Sequence, residues 1–384
     1  MPSGAIKNLL YRAALPLSVP PLNRNLFHPV AGHPLNHRKA FIRILSRHRV
    51  QGSALLLSNL QSDSRLLADS ALAHFSPAED TYFRVASITK WVTALVVMRL
   101  WDQGRLDLDR PVSDYTENKD LQAALADITL RHLLSHTAGL TDPSDLEKML
   151  LNKTPLPAVV FPNRAGIPGQ AFQYSNLGYG IIGSLLESVT GLPVSRVFDE
   201  MLFQPFALEG TLEGCSLPPK RVMPVIRLLP RQQAVRITFL GSKPLENADP
   251  LLHYGHTAGS LYITPRALAS LFAAFIQEDQ RLLSPKARSE MLRPHGFYGS
   301  ISPTLSYGLG LLFIQDPVLS ESRIIGHQGF AYGCADGIFY EESTGNMMIS
   351  LNGGGSEARA GRLGLLNRDL MKLAFRKELP SWNG

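Results

Sequence analysis

A serine and a lysine lie three residues apart at the start of a strongly apolar run. Ser87 and Lys90 frame the sequence Ser-Ile-Thr-Lys, and the apolar run extends from Trp91 to Trp101. Residues three apart share one face of a helix, so a helix here would bring the Lys90 amine to the Ser87 oxygen. A serine hydroxyl becomes a useful nucleophile when a neighbouring base takes its proton. The pattern therefore predicts a serine nucleophile with a lysine base, against the alternative of a plain helix start with Lys90 in solvent.

Two further motifs follow along the chain. Tyr174-Ser175-Asn176 is the only Tyr-x-Asn sequence, and it stands just before an apolar helical pattern. His327-Gln328-Gly329 is a His-x-Gly sequence at the end of a strand-like segment. Tyrosine, asparagine and histidine are side chains that can hold or move protons beside a nucleophile. The three motifs together favour a catalytic site over three unrelated structural positions.

The order Ser-x-x-Lys, Tyr-x-Asn, His-x-Gly resembles that of the serine beta-lactamase and penicillin-binding-protein superfamily. The closest match is the class C-like branch, which includes D-alanyl-D-alanine carboxypeptidases, D-aminopeptidases and esterases. The sequences of residues 133–140 (Leu-Leu-Ser-His-Thr-Ala-Gly-Leu) and 257–261 (Thr-Ala-Gly-Ser-Leu) resemble the same superfamily. The resemblance extends from about Arg49 to Phe375, and it is specific for the superfamily rather than for a substrate.

The resemblance implies a role for each motif residue. Ser87 becomes the nucleophile, and Lys90 and Tyr174 share the proton transfers, since a nearby cation can stabilise a tyrosine anion. Asn176 offers an acceptor for the Lys90 ammonium and a donor for a substrate amide. His327 stands where beta-lactamases usually have lysine. It can donate a hydrogen bond to Tyr174 and relay a proton near neutral pH.

The residues around His327 are expected to bind the substrate. The implied oxyanion hole consists of the backbone N–H groups of Ser87 and Phe330, and Gly329 would let the strand approach the substrate closely. Gln328 departs from the pattern, because relatives often have threonine there, whose hydroxyl contacts the substrate carboxylate. No lysine or arginine lies within the His-Gln-Gly stretch. We therefore expect uncharged acyl groups to be preferred over carboxylate-bearing beta-lactams, because a buried carboxylate without a partner is costly.

Strand-like segments occur at both ends of the chain, and helical patterns occur between them. Strands are predicted at residues 54–58, 65–68, 309–314, 323–327, 337–340 and 347–351. Helices are predicted from Leu177 to the stop at Gly191, from Pro265, from Pro285, and from Leu363 to Phe375. Strands far apart in sequence must then pair. We expect an α+β fold of the beta-lactamase/transpeptidase type, with a mostly antiparallel sheet flanked by helices and a helical subdomain.

Basic residues are concentrated near the N-terminus. The first 50 residues hold eight Lys or Arg and no acidic residue, whereas the whole chain carries +6, so the remainder sums to −2. Residues 1–36 show no clear hydrophobic period. We expect a basic extension there, disordered or packed on the surface, and a hydrolase domain at residues 37–384. Arg12 interrupts the apolar stretch that a secretory signal needs, so we expect a cytoplasmic location, with export by a non-standard N-terminal segment as the alternative.

Several classes of function are excluded. The chain has no run of about 18 apolar residues, so we expect no membrane span. Basic residues are not interleaved with aromatic ones as a nucleic-acid surface requires. The paired histidines lack a carboxylate at metal-site spacing, so we expect neither a metal nor another cofactor. The sequence leaves the oligomeric state open.

These observations predict a serine acyl-hydrolase that forms a covalent Ser87 acyl-enzyme with small amides or esters, D-amino-acid peptides first. The alternatives among enzymes are a beta-lactamase or an esterase, and an acyltransferase in which an amine or alcohol replaces water. An inactive sensor or scaffold with the same fold is an alternative of another class. The presence of all the motif residues argues against it.

Overall fold

A nine-stranded antiparallel sheet with helices on both faces forms the centre of the chain. The computed structural model describes residues 13–15, 28–29, 38–59, 65–70, 77–229 and 232–375. Most of the predicted N-terminal extension, residues 1–36, therefore lies outside the described residues. The predicted α+β class, with a mostly antiparallel sheet flanked by helices, is confirmed.

The strands form one large sheet and two small ones. They are β1 (His28–Pro29), β2 (Gly52–Asn59), β3 (Arg65–Ser70), β4 (Phe83–Arg84), β5 (Gly210–Thr211), β6 (Tyr262–Ile263), β7 (Gly296–Phe297), β8 (Leu305–Tyr307), β9 (Leu312–Ile314), β10 (Ile324–Ala331), β11 (Cys334–Glu341), β12 (Asn346–Asn352), β13 (Arg359–Ala360) and β14 (Leu363–Gly364). The large sheet has the order β1-β3-β2-β12-β11-β10-β9-β8-β7. Strands β4, β6 and β5 form a second sheet in that order, and β13 pairs with β14.

Strand β12 shows that a central strand of the large sheet is covered on both faces. Successive side chains of a strand point to opposite faces of the sheet. Met347 and Ile349 belong to the larger core on one face, whereas Met348 belongs to a second core on the other face. Because both faces are covered, the strand is buried along its length and the sequence shows no alternation of polar and apolar residues.

Helices cover both faces of the sheet. They are α1 (Arg38–Arg47), α2 (Thr89–Asp102), α3 (Lys119–Ala124), α4 (Leu130–Leu134), α5 (Leu146–Leu151), α6 (Leu156–Val160), α7 (Asn176–Thr190), α8 (Val194–Phe198), α9 (His256–Gly259), α10 (Pro265–Ile276), α11 (Pro285–Leu292) and α12 (Leu365–Ala374). Helices α1 and α12 pack on one face, and α2 and α10 contribute to the larger core on the other. No single helix in the described ranges is long and apolar enough to cross a membrane, and α7 with residues 194–203 passes that test only as a pair bent by 82°.

The helix boundaries lie at capping residues that can be recognised in the sequence. The Ser175 side chain accepts a hydrogen bond from the Gly178 backbone N–H at the start of α7. Gly191 ends α7 with a φ of 71°, a conformation that glycine adopts at little cost. Thr264 and Ser284 cap α10 and α11 in the same way as Ser175, and proline follows each of them. The helices predicted from these signals are confirmed.

Two described stretches within residues 1–36 contact the rest of the chain. The buried side chain of Leu15 packs in a small cluster with Ile226 and Leu228. Strand β1 pairs with β3 at the edge of the large sheet, with His28 opposite Ala68. These contacts show where the two stretches lie. The boundary at residue 37 remains a prediction.

Candidate active site

The three sequence motifs meet around one cavity of about 480 Å³. Ser87 lies in the single 3-10 turn that leads into α2, Tyr174 stands just before α7, and His327 lies in β10. Asn176, Gln328 and Phe330 join these three residues in the cavity wall. The site therefore combines the N-terminal ends of two helices with one strand of the large sheet.

Lys90 is fully buried and makes three hydrogen bonds through its amine. Its Nζ lies 3.1 Å from Ser87 Oγ, 2.7 Å from Asn176 Oδ1 and 2.6 Å from the Ala258 carbonyl oxygen. An ammonium has three donors, so these three acceptors satisfy it completely. A neutral amine would give its two donors to the Asn176 and Ala258 oxygens, and its lone pair would then face the Ser87 hydroxyl. The three hydrogen-bond distances are compatible with both the ammonium and the neutral amine.

Tyr174 belongs to a group of buried and half-buried rings beside Lys90. The Lys90 Nζ lies 5.0 Å from the Tyr174 ring centroid. The His136 ring centroid lies 4.2 Å from the Tyr174 centroid, and the two rings are tilted by 36°. His136 is held in turn by the Ser175 backbone N–H, which donates to its Nδ1. Among the described residues, the Tyr174 hydroxyl has no hydrogen-bond partner. The hydroxyl is thus available to a substrate in the cavity.

Among the described residues, His327 makes no hydrogen bond to Tyr174, so the hydrogen bond expected from the sequence is not formed. Its Nδ1 lies 2.8 Å from the Gln328 carbonyl oxygen, which can only accept, so Nδ1 carries the proton. Its Nε2 then accepts from the Tyr307 hydroxyl at 2.7 Å. Burial lowers the pKa of His327 to about 3, and the charge of Lys90 is the second cause of this shift. A ring with this pKa is neutral near pH 7, and the Gln328 carbonyl oxygen accepts from its single N–H.

Gln328 also has a different role from the expected one. Its Nε2 donates to the Arg362 carbonyl oxygen at 2.7 Å, and its Oε1 accepts from the Gly364 N–H at 3.1 Å. Both ends of the amide are therefore engaged by the backbone around the β13–β14 hairpin. Gln328 attaches this hairpin to β10, and the side chain does not point freely at a substrate carboxylate.

The segment before Ser87 packs directly on β10. A Cβ on Gly329 would lie 2.3 Å from the Val85 carbonyl oxygen, so only glycine fits there. Strand β9 pairs with residues 324–326 of β10. Along residues 327–331, no strand among the described residues pairs with β10 on the edge that faces β9. Ala86, next to Ser87, has a φ of 45°, which costs a residue other than glycine about 1–2 kcal/mol. The close contact places the chain just before Ser87 beside Gly329, and the oxyanion hole of Ser87 and Phe330 stays a prediction.

Three arginines line the cavity, and the sequence motifs did not reveal them. Arg84 is only 6% exposed, and its Nε and Nη1 have no hydrogen-bond partner among the described residues. Arg359 stacks over Phe330, with 4.3 Å from its Cζ to the ring centroid. Arg362 follows Gly361 at the tip of the same hairpin, and all three arginines face the cavity. The expectation of an uncharged substrate rested on the absence of lysine and arginine from the His-Gln-Gly stretch, and the cavity wall has arginines that come from other segments.

A hydrogen bond joins the two sides of the cavity mouth. The Tyr332 hydroxyl, on the turn between β10 and β11, donates to the Glu147 carboxylate on α5. Burial and Glu147 raise the pKa of Tyr332, so the hydroxyl keeps its proton. The Tyr332 ring also stands 5.5 Å from the Arg84 Cζ. These contacts connect three of the residues that line the cavity.

The described ranges contain no group of three or more His, Cys, Asp or Glu side chains with the arrangement of a metal site. His253 and His256, one of the two histidine pairs in the sequence, bond instead to Glu187 and to backbone carbonyls. Each ring thus has a structural partner, and neither histidine lines the cavity.

The geometry agrees with the comparison to known protein families. The family model described as Beta-lactamase matches residues 69–366, which is more than half of the chain. The chain therefore belongs to the beta-lactamase family. This assignment confirms the superfamily that the three motifs predicted, and the matched region contains every motif residue.

Curated relatives of the family resemble part of the chain. Esterase EstB of Burkholderia gladioli is 33% identical over 152 residues, which cover 34% of this chain and 38% of the esterase. The D-alanyl-D-alanine-carboxypeptidase/endopeptidase AmpH of Escherichia coli K12 is 28% identical over 149 residues, 35% of this chain and 37% of the relative. The chain thus spans less than two fifths of the length of these relatives.

Solved structures resemble the chain over most of its length. D-amino acid amidase from Ochrobactrum anthropi SV3 has a TM-score of 0.68 at 22% identity, and the match covers 87% of this chain and 96% of the amidase. The penicillin binding protein from Bacillus halodurans has a TM-score of 0.64 at 20% identity, covering 85% of this chain and 97% of that protein. At these identities the likeness shows the shared fold.

Proposed function

We propose that the chain is a serine acyl-hydrolase that cleaves small amides or esters through a covalent acyl-enzyme on Ser87. The contact between Lys90 Nζ and Ser87 Oγ at 3.1 Å carries this proposal. A buried amine in contact with a serine hydroxyl at a helix N-terminus is the arrangement that activates a serine without a histidine base. The names of the relatives, an esterase and a peptidase, support hydrolysis as the reaction.

Acylation begins when the Ser87 proton moves to Lys90 or to a Tyr174 anion held by the Lys90 charge. Ser87 Oγ then bonds to the substrate carbonyl carbon, and the carbonyl oxygen gains a negative charge. The N–H groups of Ser87 and Phe330 are the proposed donors to this oxyanion. The intermediate collapses when the bond to the leaving group breaks, and the leaving group takes up the proton by way of the free Tyr174 hydroxyl.

Deacylation repeats these steps with water as the nucleophile. Water gives a proton to the same Lys90–Tyr174 pair, its oxygen bonds to the acyl carbon, and Ser87 leaves and takes the proton back. His327 supports these steps as a neutral ring that binds Tyr307, because its single proton already donates to the Gln328 carbonyl. Its part is to hold β10 and Tyr307 in place.

We propose that the preferred substrates are D-amino-acid peptides with a free carboxylate. Arg84, Arg359 and Arg362 make the cavity wall cationic, and among the described residues that line it Glu147 is the one acidic side chain. A guanidinium binds a carboxylate through two parallel hydrogen bonds, so this wall favours an anionic substrate. The relative named D-alanyl-D-alanine-carboxypeptidase/endopeptidase AmpH supports this class.

The test compares N-acetyl-D-alanyl-D-alanine with its C-terminal amide, which has the same scissile bond and no carboxylate. We expect a kcat/KM at least about tenfold higher for the acid, because one charge-assisted contact contributes about 1.5–3 kcal/mol. Arg362→Gln should remove most of this preference by raising KM. Arg110→Gln, an exposed arginine outside the cavity, is the matched control and should behave as wild type.

Ser87→Ala is the second arm of this test. It should abolish turnover of both peptides and of a 4-nitrophenyl ester, because no other group replaces the nucleophile. Turnover that survives in Ser87→Ala would contradict the acyl-enzyme. Equal rates for the acid and the amide in wild type would contradict the carboxylate preference alone, and fast hydrolysis restricted to cephalosporins would identify a beta-lactamase instead.

A further inference from the structure

The Asp142 carboxylate lies behind Asn176 and receives three hydrogen bonds from the start of α7. Its Oδ2 accepts from Asn176 Nδ2 at 2.7 Å. Its Oδ1 accepts from Ser175 Oγ and from the Leu177 N–H, both at 2.9 Å. No basic side chain of the described residues forms an ion pair with Asp142. Its charge is therefore directed at the beginning of α7 and at the Asn176 amide.

These contacts allow only one orientation of the Asn176 amide. A carboxylate can only accept, so Asp142 requires the Nδ2 end of the amide. The Oδ1 end must then face Lys90, whose ammonium can only donate, and the distance of 2.7 Å confirms this contact. The reversed amide would turn its N–H groups toward the Lys90 donors and its oxygen toward the carboxylate. Both contacts would be repulsive.

Lys90 has no carboxylate partner of its own. The described residues place no acidic oxygen within ion-pair distance of its Nζ, and its three acceptors are uncharged. The nearest bonded carboxylate is that of Asp142, which reaches Lys90 through the single Asn176 amide. A hydrogen bond from an amide to a carboxylate polarises the amide and strengthens the acceptor at its other end. Asp142 can thereby act on Lys90 without touching it.

We propose that Asp142 is a positioning residue for catalysis, which fixes the Asn176 amide so that its oxygen holds the Lys90 amine against Ser87. This inference rests on the proposed role of Lys90 as a base for Ser87. Asp142 follows the sequence of residues 133–140, and the sequence motifs predict no role for it. The competing explanation is that Asp142 only stabilises the N-terminus of α7 together with the cap residue Ser175.

Asp142→Asn separates the two explanations. An asparagine can still accept from Ser175 and Leu177 through its oxygen, so the helix start is preserved, but it turns an N–H group toward Asn176. We expect the Asn176 amide to flip and to withdraw its oxygen from Lys90. The rate of Ser87 labelling by a fluorophosphonate should fall at least about tenfold while the midpoint of thermal unfolding changes little.

Ser175→Ala is the matched control, because it removes the cap and one bond to Asp142 but leaves the Asn176 contact in place. It should lower the unfolding midpoint and keep the labelling rate. The pair Asp142→Asn with Asn176→Asp restores a donor opposite an acceptor, and the new carboxylate accepts from Lys90. We expect this double variant to label faster than either single variant. The pH at which its labelling rate falls on the acid side should be higher than in wild type, because a carboxylate favours the protonated amine.

The outcomes distinguish this proposal from the proposed function. Wild-type labelling at Ser87 that is unchanged in Asp142→Asn would overturn the role of Asp142 and leave the acyl-enzyme intact. The same conclusion follows if Asp142→Asn and Ser175→Ala lose labelling rate to the same extent, or if the double variant recovers nothing. Wild-type protein that shows no Ser87-dependent labelling would overturn both proposals together.

Discussion

At the scale of single residues, the partners of each side chain decide what it can do. Lys90 is held by three oxygens that come from separate segments of the chain, at Ser87, Asn176 and Ala258. His327 is also held by hydrogen bonds on both ring nitrogens. Its Nδ1 donates to a backbone carbonyl, and its Nε2 accepts from the Tyr307 hydroxyl. One side chain is thus suited to move a proton, and the other is suited to remain neutral.

The pH dependence of stability tests the assignment of His327. An unfolded histidine has a pKa of about 6.5, whereas burial lowers the folded pKa of His327 to about 3. Between these values the unfolded chain binds a proton that the folded chain does not, so the contribution of His327 to stability is lost as pH falls through this window. His327→Gln cannot take up that proton. We expect it to lose less free energy of unfolding than wild type as the pH is lowered, measured by urea denaturation.

The glutamine oxygen can still accept from the Tyr307 hydroxyl, so the variant is a close match in hydrogen bonding. Parallel stability curves for wild type and His327→Gln would contradict a buried neutral ring. So would a His327 ring signal that titrates near neutral pH in a nuclear magnetic resonance experiment.

The sequence was sufficient to predict Ser87, Lys90, Tyr174 and Asn176 as one group, because each belongs to a short motif with its own chemistry. It was not sufficient for the hydrogen bonds that orient them. The amide of Asn176 is set by Asp142 and the ring of His327 by Tyr307, and both partners are distant in sequence. Their choice depends on how the segments pack, which no local pattern records.

At the scale of elements, the site depends on the close contact between β10 and the turn before α2. Gly329→Ala would place a Cβ 2.3 Å from the Val85 carbonyl oxygen, and the backbone on one side would have to move. We expect turnover to fall at least about tenfold, because the two proposed oxyanion donors lie on these two segments. Ester hydrolysis at saturating substrate, compared with the far-ultraviolet circular dichroism of the variant, measures this loss.

Gly355→Ala is the control for that substitution. Gly355 is also buried, but its Cβ would lie 3.5 Å from the nearest atom, Ala335 Cβ, which is ordinary contact. This variant should retain turnover close to wild type. Gly329→Ala with normal turnover would mean that the contact between β10 and the Ser87 turn is not needed for catalysis.

The sequence predicted the helices better than it predicted the hairpin that contributes arginines to the cavity. The helices at Leu177, Pro265 and Pro285 were evident because capping residues and glycine or proline mark their ends. Hairpin β13–β14 has no such signal, and it carries Arg359 and Arg362 to the cavity. It reaches the site because Gln328 bonds to its backbone, so its contribution could be found only from the structure.

At the scale of the whole molecule, the nine-stranded sheet brings together segments that span most of the sequence. Residues 1–36 were expected to lie outside this fold, although Leu15 packs against Ile226 and Leu228. Burial of a leucine side chain contributes about 1.5–3 kcal/mol. We therefore expect deletion of residues 1–36 to lower the unfolding midpoint by several degrees and to leave kcat within about twofold of wild type.

Leu15→Ala in the full-length chain is the control for this deletion, since it removes the buried side chain and keeps the strand at residues 28–29. It should reproduce part of the stability loss with full activity. A folded deletion variant without activity would show that the extension takes part in the site, and an unfolded one would place the domain boundary before residue 37.

The covalent intermediate on Ser87 is the central claim, and intact-mass spectrometry of acid-quenched reactions tests it most directly. Wild-type protein is mixed with excess 4-nitrophenyl ester, quenched during turnover and digested to locate the adduct. We predict a mass increase equal to the acyl group, confined to the peptide that contains Ser87 and absent from Ser87→Ala. An acyl adduct on another residue, or turnover of the ester without any adduct while Ser87→Ala stays active, would contradict the account.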